Sequence, residues 1–282
     1  MGLTDREKTV LHEIYEWEQK LFRLEPNDLQ ATYDKYVEST FSLLPEKVQH
    51  EFFSKIDTWL FHLHSMIQSS RVQHEAQERV LTEGRIFDDT ISHIGDMKKL
   101  NIDQLQYIAN RQIALHRLYS FAQGGLAGTG NAVFLGTDLL AAAVIHLKIV
   151  QLLAMIYGND VQKPFEMMTS LKVFYSGSLP ARMQGNSWRQ LLDEWKSADK
   201  PYFFDGSEEI VDHGWIDQLI KQVLKTLAIM AFRRKKLQGI PFLSIGIGAG
   251  TNYRVTRRVT EFAHKYYQLR YLLEKENGHE YD

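Results

Sequence analysis

Apolar residues recur at helical spacing through nearly the whole chain, while strand-like alternation is scarce. A 3.6-residue period buries one stripe of a helix, and a chain built that way must pack helix on helix. Thr4-Asp-Arg-Glu7 reads as a capping box, followed by Val10, Leu11, Ile14, Trp17 and Leu21 on one face. Pro45 suits a first helical turn, and Val48, Phe52, Ile56, Trp59, Leu60, Leu63 and Ile67 make a stripe behind it. Ser70 to Gly84 reads as a helix stopped by its glycine, and Asn101-x-x-Gln104 opens the next. Further helices are expected over about 132–157, ending at Tyr157-Gly158-Asn159-Asp160, then from Pro164 to about 175 and over 187–197. The last two are expected over 208–236 and from about Thr251 to Glu276. The expected fold is all-α, a compact multi-helix bundle. No linker is long enough to force a boundary, so 1–282 reads as a single domain.

Two glycine-rich units interrupt this pattern: Gly124-Gly-Leu-Ala-Gly128-Thr-Gly130, and Gly246-Ile-Gly-Ala-Gly250. Gly124/Gly128 and Gly246/Gly250 have the four-residue spacing that lets helix backbones approach closely. Each unit precedes a long helix, with a faint echo between Ala127-Gly-Thr-Gly-Asn131 and Gly248-Ala-Gly-Thr-Asn252. Both are expected as loop–helix units. They serve tight packing in a water-soluble core or, for the second above all, a membrane-dipping hairpin. Neither is a nucleotide loop: no Gly-Lys-Ser/Thr follows the first, and the second lacks the dinucleotide spacing.

Charge is segregated. Gln218–Thr260 carries nine Lys or Arg and no Asp or Glu, leaving −11 for the remainder of a chain of net charge −2. The bases are Lys221, Lys225, Arg233, Arg234, Lys235, Lys236, Arg254, Arg257 and Arg258, and the apolar 239–253 lies between them. Bases flanking an apolar segment suit an anionic headgroup layer. A solvated basic face with a buried hairpin is the plainer alternative. The slightly acidic whole and the absence of a recognised motif argue against nucleic acid.

No stretch reads as a membrane span. Residues 118–147 hold Asp138 and His146, and 237–253 is short and broken by Pro241, Asn252 and glycines. Asp138 is the lone acid in thirty apolar residues, and a buried carboxylate must be paired, hydrogen-bonded or protonated. A structural salt bridge or cap is one expectation. A pocket formed with Asn252 and Tyr253, for a small ligand or a reaction, is the other.

Chemistry is otherwise thin. The chain has no cysteine, which excludes disulfides, thiol catalysis and Cys-ligated metals. His12-Glu-x-x-Glu16 and His74-Glu-x-x-Glu78 put Glu where a zinc protease needs its second His. Glu261-x-x-His264 is half of a di-iron pair whose second copy is missing, and His62 and His64 point different ways on a helix. No metal, cofactor or catalytic residue is expected. The N-terminus lacks the apolar core of a signal peptide, so a cytoplasmic location is expected, peripheral on the inner membrane face.

The glycine units and their surroundings resemble the EcsC family of bacterial proteins. The matching residues are Gly124, Gly125, Gly128 and Asp138; Tyr157-Gly158-Asn159-Asp160, Pro164 and Glu166; then Ile245, Gly246, Gly250, Asn252, Tyr253, Ala263, Tyr266 and Tyr267. The resemblance covers roughly 100–270, with residues 1–100 less distinctive. The family takes its name from a protein encoded beside the ATPase and permease of an ABC transporter. It therefore implies a transport or secretion context, with an anionic membrane surface or a transporter component as partner, and no reaction. It carries over no catalytic residues.

Overall fold

The structure, a computed structural model, describes residues 2–23, 39, 42–43, 46–47, 49–50, 70–127, 135–179, 181, 184–197 and 241–278. At 70–73, 121–127, 135–142 and 241–252 it describes the backbone only. Seven α-helices and one 3-10 helix have both ends among these residues, isolated residues from 39 to 50 are helical too, and no described residue is in a strand. The helices are α1 (Asp5–Phe22), α2 (Ser70–Arg85), the 3-10 helix (Ile94–Lys99), α3 (Ile102–Ala127), α4 (Leu135–Ile156), α5 (Pro164–Ser178), α6 (Gln184–Ser197) and α7 (Pro241–Glu276). The all-α expectation holds. The helices expected after Pro45 and over 208–236 lie largely or wholly outside the described residues.

Local signals place several ends. Glu7 N–H donates to Thr4 Oγ1 at 3.3 Å and Thr4 N–H to Glu7 Oε2 at 2.9 Å, completing the capping box of α1. Asn101 and Gln104 do the same for α3, at 2.9 and 3.0 Å. Gly158 has φ +80°, and Asn159 N–H reaches back to Ala154 O at 2.9 Å, closing α4 with a left-handed turn. Pro164 opens α5.

Three readings shift. Gly84 is not a stop: α2 runs to Arg85, and a Cβ at 84 would lie 2.5 Å from Met97 Sδ, so the glycine admits the 3-10 helix. Helix α3 continues through Gly124 and Gly125 to Ala127, where a break was one expectation. Helix α7 begins at Pro241, ten residues before the expected Thr251, so Gly246 and Gly250 are helical and not in a loop. Glycine costs a helix about 1 kcal/mol against alanine, an amount that tertiary packing overrides.

The second half of α7 is the axis of the bundle. Val255, Val259, Phe262, Ala263, Tyr266, Tyr267, Leu269, Tyr271 and Leu272 are all buried. A helix buried on most of its sides must be surrounded, and α7 packs against α3, α4, α5 and α1. Gly177 lets α5 close in, since a Cβ there would sit 3.1 Å from Val259 Cα. Trp188 of α6 is fully buried, edge-on to Trp17, Phe262 and Tyr266 at 4.9, 5.3 and 6.0 Å between centroids. Its indole N–H donates to Glu18 Oε1 at 2.7 Å, so the polar tip is satisfied.

Candidate functional site

Two regions concentrate chemistry: a polar network within the core, and the end of the bundle where the glycine-rich helix segments meet.

The network centres on Arg270, whose side chain is 3% exposed. Its two terminal nitrogens donate to Glu166 Oε2 and Oε1 at 2.9 and 2.8 Å, joining α7 to α5. Glu274 Oε1 lies 3.6 Å from the same guanidinium, and Lys98 Nζ donates to Glu274 Oε2 at 2.7 Å, bringing in the 3-10 helix. The guanidinium also lies over the rings of Trp195 and Tyr266, at 5.5 and 5.9 Å. Two acids and two bases balance, which is what burial of charge requires. Burial works to lower Arg270, but Glu166 outweighs it and holds the guanidinium charged. Nearby, Lys275 Nζ donates to Glu7 Oε1 at 2.6 Å. Burial opposes the Glu7 carboxylate, but Lys275 and the Thr4 bonds win and lower it.

Next to this network, Tyr157 Oη lies 2.8 Å from His264 Nε2. Burial, then Lys265 and Arg117, push His264 down to about 3, so the ring is neutral at ordinary pH. Burial raises Tyr157, Tyr266, Tyr267 and Tyr271, keeping all four protonated. The Tyr271 hydroxyl donates to Leu100 O at 2.8 Å. These groups hold helices together. Neither the neutral histidine nor the protonated tyrosines is poised as a base or nucleophile.

Several residues that carried the resemblance converge here. Tyr157 bonds His264, Gly158 admits the Lys98 side chain, Asn159 closes α4, and Glu166 pairs with Arg270. Tyr266 and Tyr267 fill the core beside them. Sequence reading missed Arg270. The available signal was a lone arginine inside Tyr266-Tyr267-Gln-Leu-Arg270-Tyr-Leu-Leu, a stretch apolar enough to be buried all round.

The second region follows from helix directions. His146 Nε2 and Thr256 Oγ1 lie 2.9 Å apart, and Tyr157 meets His264, so α4 runs alongside α7 in the same sense. Arg117 donates to Thr260 Oγ1 from Nε at 3.2 Å, and Tyr271 reaches Leu100, so α3 runs opposite. The end of α3, the start of α4 and the start of α7 therefore lie together at one end of the bundle. Gly124, Asp138, Gly246, Gly250 and Asn252 are on these segments. Gly128 and the side chains of Asp138 and Asn252 are outside what is described, so a pocket among Asp138, Asn252 and Tyr253 is not on view.

From the middle of α3 toward this end, Leu115, Leu118 and Tyr119 form one exposed stripe, at 45, 66 and 70% exposure. Tyr253 is 40% exposed. Arg254 and Arg257 are exposed beside it. Arg258 is half-buried and donates to Leu179 O at 3.4 Å, so it serves the fold and is not a free surface charge. Lys221, Lys225, Arg233, Arg234, Lys235 and Lys236 lie outside the described residues. Among the described residues no helix is long and apolar enough to cross a membrane, and no three metal-ligating side chains converge.

A protein of Bacillus subtilis (strain 168) bearing the name Uncharacterized protein YdbA is 22% identical over 275 residues, covering 94% of this chain and 92% of its own length. No solved structure matches. The EcsC protein family matches residues 8–272, nearly the whole chain and including the Tyr157–Glu166 turn and the buried half of α7, and the chain belongs to that family.

Proposed function

We infer that this protein is a peripheral membrane-associated accessory of an ABC-type transport or secretion system, acting by attachment and not by a reaction. The observation that carries the reading is the meeting of three largely apolar helix segments, two of them glycine-rich, at one end of the bundle, with exposed Leu118, Tyr119 and Tyr253 toward it. Arg254 and Arg257 border that end, as headgroup-binding cations border an interfacial apolar surface. A shallow seat of about 5–10 Å needs no spanning helix. The transporter and the inner membrane face enter this reading from what the family resemblance implies. The described core supports attachment over catalysis, because its charges are paired and its tyrosines are held neutral.

The test is flotation of the purified protein with neutral and with anionic liposomes, at low and at high salt. Binding to anionic liposomes alone, weakened at high salt and by Arg254→Glu with Arg257→Glu, is expected. No flotation under any condition would assign the glycine-rich end to the protein interior and overturn the reading.

A further inference from the structure

A cavity of about 140 Å³ lies between α5, α6 and α7, away from the apolar end of the bundle. Phe165 and Trp195 are half-buried and form its walls, and Thr169 and Tyr266, 6 and 0% exposed, form its floor. The Arg270 guanidinium lies over the rings of Trp195 and Tyr266 and is itself clamped by Glu166, so this aromatic surface is in place before a ligand arrives. An apolar cavity of this size accepts one small group, on the scale of a benzene ring.

The charged rim of the cavity is already engaged. Lys172 Nζ and a Glu194 oxygen form an ion pair there, and Gln190 Nε2 donates to the other Glu194 oxygen at 3.2 Å. Lys172 has a further interaction besides that pair. A charged ligand competes with these contacts and sheds its own water, whereas a neutral one leaves them standing. The floor differs. Among the described residues nothing hydrogen-bonds the Thr169 hydroxyl. A hydroxyl offers one donor and two acceptor positions, and a buried one gains from a ligand that meets them.

We propose that this cavity binds a free, neutral, one-ring phenol. The ring lies against Phe165, Trp195 and Tyr266, where offset or edge-on contact suits aromatic faces. The phenolic hydroxyl points inward and exchanges a hydrogen bond with Thr169. A substituent para to it leads outward past the rim, whereas two ortho methyl groups crowd the floor. A phenol keeps its proton at neutral pH, as tyrosine does, so no new charge is buried and the Lys172–Glu194 pair stays closed. The site is independent of the membrane reading, since it uses neither the glycine-rich helix ends nor Arg254 and Arg257.

Fluorine NMR of 4-fluorophenol with the full-length protein tests this. The competitors are phenol, p-cresol, toluene, 2,6-dimethylphenol, benzoate and N-acetyl-tyrosinamide. A saturable shift is expected, with a Kd of about 1 mM or tighter. Phenol and p-cresol are expected to compete about fivefold better than toluene, 2,6-dimethylphenol and benzoate, the scale of one hydrogen bond. Thr169→Val keeps the shape of the floor and removes its hydroxyl, and is expected to erase the advantage of phenol over toluene. Thr169→Met fills the cavity and is expected to abolish binding of both, with an unchanged circular dichroism spectrum in each variant. Absence of a saturable shift would overturn the proposal. So would toluene competing as well as phenol, or a phenol affinity untouched by Thr169→Val. N-acetyl-tyrosinamide binding more tightly than p-cresol would overturn it as well, by assigning the cavity to a tyrosine of a partner protein.

Discussion

Arg270 on α7 holds Glu166 on α5 through two parallel hydrogen bonds of 2.9 and 2.8 Å, in a position where the arginine side chain is only 3% exposed. The pair spans 104 residues of sequence and sits beside the left-handed turn that ends α4. It ties the axial helix to its neighbour through a guanidinium that has no neutral fallback, because arginine does not lose its proton in a protein.

Removing one partner leaves a buried charge uncompensated. Glu166→Leu and Arg270→Met are each expected to cost about 3–5 kcal/mol, read from urea denaturation midpoints. The double variant is expected to recover much of that loss, since both charges go together. A loss below about 1 kcal/mol in both single variants would show that the pair is accessible to water.

Acid is expected to weaken the fold before any carboxylate titrates. His264 is lowered from 6.5 to about 3 and His116 is lowered too, each by burial. The folded state thus binds fewer protons than the unfolded chain below pH 6.5. Stability is full above that value and declines as pH falls toward 3, by up to about 1.4 kcal/mol per pH unit for His264. Glu7, lowered below its ordinary 4.5, adds its loss only at and below that pH. Denaturation midpoints between pH 7 and 5 therefore isolate the histidines. His264→Gln is expected to flatten the slope there, and an unchanged slope would remove His264 from this account.

Gly158 combines φ +80° with a close neighbour, since a Cβ there would lie 2.4 Å from Lys98 Cγ. Gly158→Ala is expected to cost about 1–2 kcal/mol from backbone conformation alone. Displacement of Lys98 from Glu274 adds to it. Thermal melts check this against Gly95→Ala, where a Cβ meets nothing within 4 Å and little change is expected.

The lack of native cysteine makes a single introduced thiol a unique label site. An environment-sensitive dye on Tyr253→Cys is expected to shift to the blue with anionic vesicles at low salt. The same dye on Ile86→Cys, exposed on the turn after α2, is expected not to shift. Equal shifts at both positions would indicate unspecific adsorption.

Helix type and many helix ends were legible in the sequence because they are local. A capping box spans four residues, and a proline or glycine acts where it stands. Thr4, Asn101, Gly158 and Pro164 were therefore placed directly. The glycine-rich start of α7 was misread as a loop because glycine's helix penalty is small against packing, and packing is not written in a window of neighbours. The basic clustering around 218–260 was visible, but not that Arg258 turns inward to Leu179 while Arg254 and Arg257 stay exposed. Sequence alone determined an all-helical chain, its family likeness and a segregated charge. Only the tertiary structure decided that Glu166 meets Arg270, and that a small aromatic cavity forms beside Lys172 and Glu194. Those pairings join residues far apart in the chain, and helix periodicity says which face is buried without saying what it is buried against.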